Sequence, residues 1–358
     1  DQEHTDISCK AIWVEKGNDR LAMASLDVIG VTQDIVKIAE DRLGETLGLD
    51  MHGKVLLSGT HTHLGPGRLS PNYMWEVAAD LFWQHFYNLF TNRVVECLLA
   101  ARADLEYGAI GHGLTECETC HQDRRCENPE FMDHRMWVLR LDREDGTPKA
   151  AVVNYSMHGT VFGWSDAVLS GDAPGAISQK IEENLPVPIP VLFVNSWGGD
   201  TGPGNPEVAP PAVTCGEIPN QHTRMEAIGY TAWEAFNAVW DGIETSEDAV
   251  IDSVTYAVPL DTEAIGYAPG EFDYPNGGGL CGNQNDVPCW GEEGPDPNML
   301  SCLPLLPETL FTHTALSAAR FGDLLIVTLP GEPHADLSVE LAGAVSDATG
   351  VEDVAIWG

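Results

Sequence analysis

Basic residues are scarce in this sequence, which has 18 Lys and Arg against 55 Asp and Glu in 358 residues. The formal net charge is −37, so the chain repels phosphate backbones and anionic membrane surfaces. Nucleic-acid binding, which needs basic patches, is therefore excluded as a function. The acidity is typical of a protein kept soluble in a salty medium, and its field also attracts cations, including metal ions.

Long apolar runs are also missing. No stretch of about 18 consecutive apolar residues exists, so we predict no membrane span. We identify no signal-peptide pattern in the sequence, and if the protein is exported we expect the sequence to be a processed form. A hydrophobic fraction of 43% in 358 residues leaves enough apolar material for one large α/β domain or for two domains.

The cysteines lack a complete zinc-knuckle pattern, since no second Cys-x-x-Cys accompanies Cys117-x-x-Cys120. Most of the nine cysteines lie in polar or Gly/Pro-rich stretches, which favours surface disulfides formed in an oxidising compartment. We therefore expect a secreted protein, extracellular or periplasmic. The odd count leaves at least one thiol over, and Cys97, on an apolar helical face, is our candidate for a buried free thiol.

Short apolar runs alternate with amphipathic helical patterns along the chain. Four runs suit strands buried on both faces, namely Lys54–Leu57, Ala150–Tyr155, Val191–Val194 and Leu324–Leu329. Helical patterns cover Thr32–Leu47, Asn72–Ala103, Gly175–Asn184, Glu226–Val239 and His334–Thr349. The alternation predicts an α/β fold with a mixed β-sheet core flanked by helices. Residues 264–307, rich in Gly, Pro and Cys, are expected to form a long ordered loop or cap.

Each of the four apolar runs ends in a glycine-containing turn that carries a histidine or a carboxylate. In chain order the turns bring His61 and His63, then His158, then Asp200, and finally Glu332. Ligands of α/β sheets bind beyond the carboxyl ends of the strands. We therefore expect the four turns to converge on one site.

The side chains on these turns are of the types that bind zinc. His61 and His63 are two residues apart and point to the same side of an extended segment, while His158 and Glu332 add a nitrogen and a carboxylate oxygen. Three protein ligands and a water are usual in catalytic zinc sites. The alternatives are histidines that hydrogen-bond within turns and, for Glu332, a carboxylate at a helix N-terminus. His334 is a candidate supporting partner of the metal ligands.

Around these turns the sequence resembles the neutral/alkaline (non-lysosomal) ceramidase family. Its motifs are matched, in order, by Leu57-Ser-Gly-Thr-His-Thr-His-Leu-Gly-Pro-Gly67, Val153-Asn-Tyr-Ser-Met-His158, Ser170-Gly-Asp-Ala-Pro-Gly175 and Leu329-Pro-Gly-Glu332. The likeness extends along most of the chain, so residues 1–358 are expected to form a ceramidase-like catalytic domain. The resemblance implies a zinc amidase that cleaves the N-acyl bond of ceramide, and hence a lipid-like substrate.

The resemblance also implies roles for individual residues. His61, His158 and Glu332 match the zinc ligands of the family. His63 matches a residue that lies beside the substrate carbonyl rather than on the metal. Arg124 matches an arginine that contacts the substrate.

The sequence departs from the family pattern where a nucleophilic serine is expected. The segment Gly199-Asp-Thr-Gly-Pro-Gly204 has Gly202 at the serine position, with Thr201 beside it. The first strand of the family, its late tyrosine ligand and its immunoglobulin-like domain find no match within residues 1–358. Either a second chain or a cleaved segment is expected to complete the fold, or the architecture is reduced.

Two chemistries follow from the missing serine. In the first, Thr201 is a metal-activated hydroxyl nucleophile. In the second, zinc-bound water attacks directly, His63 and Arg124 stabilise the oxyanion, and Asp200 assists proton transfer. We favour the second, because Gly202 removes the hydroxyl from the expected position.

Three other functions stay open at this point. One is an esterase or lactonase on the same zinc site. Another is a barrel-type metal-dependent amidohydrolase, which also has His-x-His after a strand but usually adds a ligating lysine or further histidines and a late aspartate. The third is a non-catalytic binding protein that kept the fold, which the glycine at 202 favours and the retained histidines oppose.

Overall fold

The apolar runs of the sequence become strands of three larger β-sheets in the structure, a computed structural model. The residues that it describes are 5–71, 76, 79–123, 132–163, 166, 168–206, 221–259, 263, 266, 268, 280–281, 302–303 and 313–358. The fold is a mixed α/β fold, as predicted. Most of the Gly/Pro-rich stretch 264–307 lies outside the described residues, so the predicted cap stays a prediction.

The elements alternate along the chain as the sequence pattern indicates. The strands are β1 Cys9–Lys16, β2 Asp19–Leu26, β3 Val55–Gly59, β4 Gly108–Glu116, β5 His121–Asp123, β6 Arg135–Arg143, β7 Pro148–Tyr155, β8 Val191–Asn195, β9 Thr201–Pro203, β10 Ile251–Pro259, β11 Leu280–Cys281, β12 Cys302–Leu303, β13 His313–Phe321, β14 Leu324–Thr328 and β15 Asp353–Trp357. The helices are α1 Gln33–Leu47, α2 Gln84–Ala103, α3 Asp172–Asn184, α4 Gln221–Trp240 and α5 Ala335–Thr349.

Each larger sheet ends in a parallel pair of strands. The strand orders are β1-β2-β3, β4-β6-β7-β8 and β10-β13-β14-β15, and the last pair in each is parallel while the other pairs are antiparallel. Two-stranded ribbons join β5 to β9 and β11 to β12. The four turns that carry the candidate site residues follow β3, β7, β8 and β14. Each of these strands is a member of a parallel pair.

A shared apolar core lies between the three sheets, because residues of alternate parity point to opposite faces of a strand. On β8, Leu192 and Val194 belong to this central cluster together with residues of all three sheets, whereas Val191 and Phe193 belong to a second cluster with α3 and α4. Helices α1 and α2 cover the outer face of the first sheet, and α5 covers β14 and β15. The central core fixes the strand ends relative to one another, which positions the turns that follow them.

The cysteines differ from expectation in two places. Cys97, predicted to be a free thiol, forms a disulfide with Cys9. That prediction was wrong because the partner lies 88 residues away, on a strand that packs against α2, and spacing gives no hint of it. Cys117 and Cys120 form a second disulfide, and it is buried rather than at the surface. Cys126, Cys215 and Cys289 lie outside the described residues.

Within the described ranges, no helix is both long enough and apolar enough to cross a membrane.

The Cys9–Cys97 disulfide closes a long loop between β1 and α2, so its removal should destabilise the fold. We expect a Cys9→Ala/Cys97→Ala double variant to lose about 2–5 kcal/mol of unfolding free energy, because the unfolded chain regains loop-closure entropy. Denaturant unfolding in a buffer without reductant measures the difference in unfolding free energy between the parent and the double variant. An unchanged midpoint for the double variant would contradict the pairing.

Candidate metal centre

Three imidazole rings meet where β3 and β7 end. His61, His63 and His158 each offer a ring nitrogen, and these nitrogens all lie within 4.8 Å of one another. The Nε2 atom of His61 is 3.3 Å from the Nε2 atoms of both His158 and His63. The sequence prediction that these turns converge is thus confirmed for three histidines.

Close backbone contact brings the two histidine turns together. Thr62 forms a parallel β-bridge with Gly159, and the His63 N–H donates to the Gly159 carbonyl at 3.3 Å. A Cβ atom at Gly159 would lie 2.6 Å from the His61 carbonyl oxygen and 2.8 Å from Thr62 Cα. Only glycine therefore permits this approach, and it is the residue next to His158.

Backbone carbonyls fix the orientation of the two buried histidines. His61 Nδ1 lies 2.7 Å from the Ile29 carbonyl oxygen, and His158 Nδ1 lies 3.0 Å from that of Gly198. A carbonyl can only accept, so Nδ1 carries the proton in both rings and the Nε2 lone pairs face each other. Two such lone pairs 3.3 Å apart repel unless a cation or a proton lies between them.

The Glu332 carboxylate approaches the cluster from the third sheet. Its Oε1 atom is 3.2 Å from His61 Nε2, and its Oε2 atom is 3.8 Å from His158 Nδ1. Its side chain is 44% exposed, and it follows Gly331 in the turn after β14. The turn after β14 therefore lies beside the histidines, and the role of Glu332 as a metal ligand stays a prediction.

The donor set fits a zinc ion. Zn–N bonds of 2.0–2.1 Å in a tetrahedron separate two nitrogen ligands by about 3.3–3.4 Å, which matches the 3.3 Å between the histidine nitrogens. Hydrogen bonds from Nδ1 to backbone carbonyls are the usual support of ligating histidines. Imidazole nitrogens with a carboxylate oxygen are a zinc donor set in hydrolases.

His61 has an unusual backbone conformation for a residue with a Cβ atom. Its φ angle is 65°, in the left-handed region that non-glycine residues seldom adopt. Such conformations cost of order 1–3 kcal/mol and concentrate at functional sites. The conformation turns the imidazole toward His158 immediately after the strand.

Asp200 approaches the third-sheet turn from β8. Its Oδ2 atom accepts a hydrogen bond of 2.9 Å from the Ala335 N–H, at the start of α5. Burial raises the pKa of the Asp200 carboxyl, against the opposing effect of that hydrogen bond. Its neighbour Gly199 donates its N–H to the Pro333 carbonyl at 3.1 Å. His334 is the N-cap residue of α5 and its ring lies against Gly199, and its predicted support of the metal ligands stays a prediction.

Thr201 is completely buried. Its hydroxyl lies 2.8 Å from the Ser156 hydroxyl and donates to the Trp197 carbonyl at 3.1 Å. Gly202 pairs with Gln122 in the β5–β9 ribbon. The 199–204 segment therefore lies beside the turn that carries Glu332, but the Thr201 hydroxyl points into the protein interior. Arg124 lies outside the described residues, and its role stays a prediction.

A second histidine pair that the sequence did not single out lies behind the Ser156 turn. His121 Nδ1 donates to the Ser156 carbonyl at 2.9 Å, and His121 Nε2 accepts from His134 Nδ1 at 3.0 Å. Burial lowers the pKa of His121 to about 4, so the ring is neutral near pH 7. It stacks on Tyr155, with 4.8 Å between ring centroids. Through its contacts with Tyr155 and Ser156, the pair supports the end of β7.

A family model described as "Neutral/alkaline non-lysosomal ceramidase, N-terminal" matches residues 4–189, more than half of the chain. The chain belongs to this family. The ceramidase resemblance of the motifs is thereby confirmed, and the matched region contains His61, His63 and His158.

Among characterised ceramidases, neutral ceramidase B of Dictyostelium discoideum is 24% identical over 215 residues, which cover 54% of this chain and 30% of that protein. The neutral ceramidase of Pseudomonas aeruginosa is 25% identical over 148 residues, which cover 38% of this chain and 22% of that protein. The matched segments thus span less than a third of these relatives.

Solved ceramidase structures share the whole fold. The crystal structure of the Pseudomonas aeruginosa neutral ceramidase aligns with a TM-score of 0.78 at 18% identity, covering 100% of this chain and 62% of that one. A structure of a ceramidase complexed with C2 aligns with a TM-score of 0.75 at 19% identity, covering 98% and 62%. At these identities the likeness establishes the fold.

The contact at Gly159 makes a specific substitution informative. We expect Gly159→Ala to push the His61–His63 turn away from His158, because its Cβ would meet the His61 carbonyl at 2.6 Å. Overpacking of this kind costs about 1–3 kcal/mol, and the affinity for a metal ion such as Zn²⁺ should fall at least about tenfold. Competition with a chromophoric chelator measures the affinity. Gly343→Ala is the control, since nothing lies within 4 Å of that Cβ, and equal affinity in both variants would disprove the coupling.

Proposed function

We propose that this chain is a zinc-dependent hydrolase that cleaves the N-acyl amide bond of ceramide or a ceramide-like lipid in an extracellular or periplasmic compartment. The observation that carries the proposal is the 3.3 Å between the Nε2 atoms of His61 and His158, with the Glu332 carboxylate 3.2 Å from His61 Nε2. Membership of the ceramidase family supports the amide as the bond attacked. The two disulfides support an oxidising compartment.

His61, His158 and Glu332 are the proposed zinc ligands. Zinc bound there would acidify a water molecule and polarise a carbonyl. The two histidines are buried and donate to backbone carbonyls, as ligating histidines often do. Glu332 is partly exposed, so the cluster is open on the side from which a substrate approaches.

His63 is the proposed contact for the substrate carbonyl. It is the exposed member of the cluster, whereas His61 and His158 are buried. An imidazole on the open side can donate a hydrogen bond to a developing oxyanion, which is worth about 2.7–4 kcal/mol for a well-placed donor. Arg124 is expected to assist it.

Direct attack by water is the proposed mechanism. The Thr201 hydroxyl has no exposed surface and is bonded to Ser156 and Trp197, which a nucleophile would have to leave. Gly202 supplies no hydroxyl. A water molecule near the open side of the cluster needs no such rearrangement.

Metal removal and the His61→Ala variant test the zinc assignment. We expect about one zinc per chain, hydrolysis of N-acyl amides that chelation abolishes, and a fall of about a thousandfold or more in His61→Ala, since metal catalysis contributes several kcal/mol. Zinc analysis and a panel of N-acyl amides and matched esters measure these. Faster turnover of the esters would favour an esterase, and protein without tightly held metal would favour a binding function. Equal turnover by His61→Ala would refute the site.

The Thr201→Ala variant separates the two nucleophiles. We expect turnover within about tenfold of the parent, with a stability loss of about 1–3 kcal/mol because the buried Ser156 hydroxyl loses a partner. Steady-state kinetics and denaturant unfolding measure the two quantities. Thr201→Ser is the control, because it keeps the hydroxyl. Complete loss of turnover in a folded Thr201→Ala protein that retains zinc would instead favour the threonine nucleophile.

A further inference from the structure

We propose that Asp200 is a positioning residue that holds Glu332 against the histidine cluster, in place of the proton-transfer role expected from the sequence. The inference rests on the proposed metal site. It concerns how the only carboxylate among the proposed ligands is kept in place, since Glu332 lies in a turn after β14 and its side chain is 44% exposed.

The first contact is with the start of α5. The N-terminal N–H groups of a helix lack partners within the helix and are usually bonded by the N-cap side chain. The N-cap residue here is His334, and its side chain makes no such bond. Asp200 supplies the acceptor instead, from another sheet, with its Oδ2 atom 2.9 Å from the Ala335 N–H. Its negative charge at this helix end is favoured by the helix dipole.

The second contact lies one residue earlier on both segments. The Gly199 N–H donates to the Pro333 carbonyl at 3.1 Å. A Cβ atom at Gly199 would lie 2.4 Å from the Glu332 carbonyl oxygen, so the two backbones touch. Pro333 and Ala335 are thus both bonded to the 199–200 segment, and Glu332 directly precedes them.

The same turn also orients a histidine. The Gly198 carbonyl accepts the hydrogen bond from His158 Nδ1 at 3.0 Å. Three consecutive residues, 198 to 200, therefore bond to His158, Pro333 and Ala335 in turn. A shift of this turn would displace two proposed ligands that come from different sheets.

The surroundings of the Asp200 carboxylate do not suit proton transfer. Its Oδ2 atom is occupied by the Ala335 N–H, and its Oδ1 atom is buried without a hydrogen-bond partner among the described residues. A general acid or base must reach the reacting group directly or through one water. An acceptor that only holds a backbone N–H needs no exchangeable proton.

Two substitutions of Asp200 distinguish positioning from proton transfer. Asn keeps an acceptor oxygen for the Ala335 N–H but cannot act as an acid or base, whereas Ala loses both. We expect Asp200→Asn to retain zinc affinity and kcat within about threefold of the parent. We expect Asp200→Ala to bind zinc about 10–100-fold more weakly, the usual effect of removing a partner of a metal ligand. Chelator competition gives the affinity, and amide hydrolysis under saturating zinc gives kcat.

A neighbouring acid provides the matched control. Asp336 is exposed in the first turn of α5, and among the described residues its carboxylate accepts a hydrogen bond from the Leu337 N–H alone, so Asp336→Ala should leave zinc affinity unchanged. Hydrogen exchange at the Ala335 amide should accelerate in Asp200→Ala and not in Asp200→Asn. This readout does not depend on turnover.

The outcomes separate the two proposals. If His61→Ala binds zinc as tightly as the parent, the metal site is wrong and the inference falls with it. If His61→Ala loses zinc while Asp200→Ala keeps it, only the positioning role is overturned. Loss of kcat in Asp200→Asn with zinc retained would restore the proton-transfer role, and it decides the question even if Asp200→Ala fails to fold.

Discussion

The proposed metal centre depends on the contact between two backbone turns, where Thr62 pairs with Gly159. The two turns follow strands of different sheets, and each carries a buried histidine whose Nδ1–H donates a hydrogen bond to a backbone carbonyl. Because the contact is between main chains, it fixes the distance between the imidazoles more tightly than flexible side chains could. The shared apolar core supports it by fixing the strand ends from which both turns start.

The sequence was sufficient to predict which turns lie together, but not the atoms that orient their side chains. Val191–Val194 and Ala150–Tyr155 are apolar on both faces, so they could be recognised as buried strands and their ends as a site. In contrast, β1 and β10 contain charged and small residues and lie at sheet edges. β1 is buried on both faces only at its centre and β10 is largely exposed, so no clear period reveals them. The carbonyls of Ile29 and Gly198 could not be predicted at all, since any residue supplies a carbonyl.

Roles were harder to predict than locations. Asp200 and Thr201 were expected at the site from the motif they occupy, and both lie in the segment that leads from β8. Their surroundings point elsewhere, because Asp200 bonds to the first N–H of α5 and the Thr201 hydroxyl is enclosed. Motif position reports which segment reaches the site, whereas burial and hydrogen-bond partners decide what each side chain can do there. Cys97 shows the same limit, since its partner is distant in sequence.

The left-handed backbone conformation at His61 lowers the stability of the fold, but it occurs at a residue whose imidazole the proposed chemistry needs. At a φ of 65° glycine or asparagine would fit the main chain with less strain, yet neither provides an imidazole. That local cost is present with or without a cation, and binding of a cation would stabilise the folded state against it. Metal binding would therefore be coupled to the stability of the 61–63 turn. This coupling would hold even in the absence of any substrate.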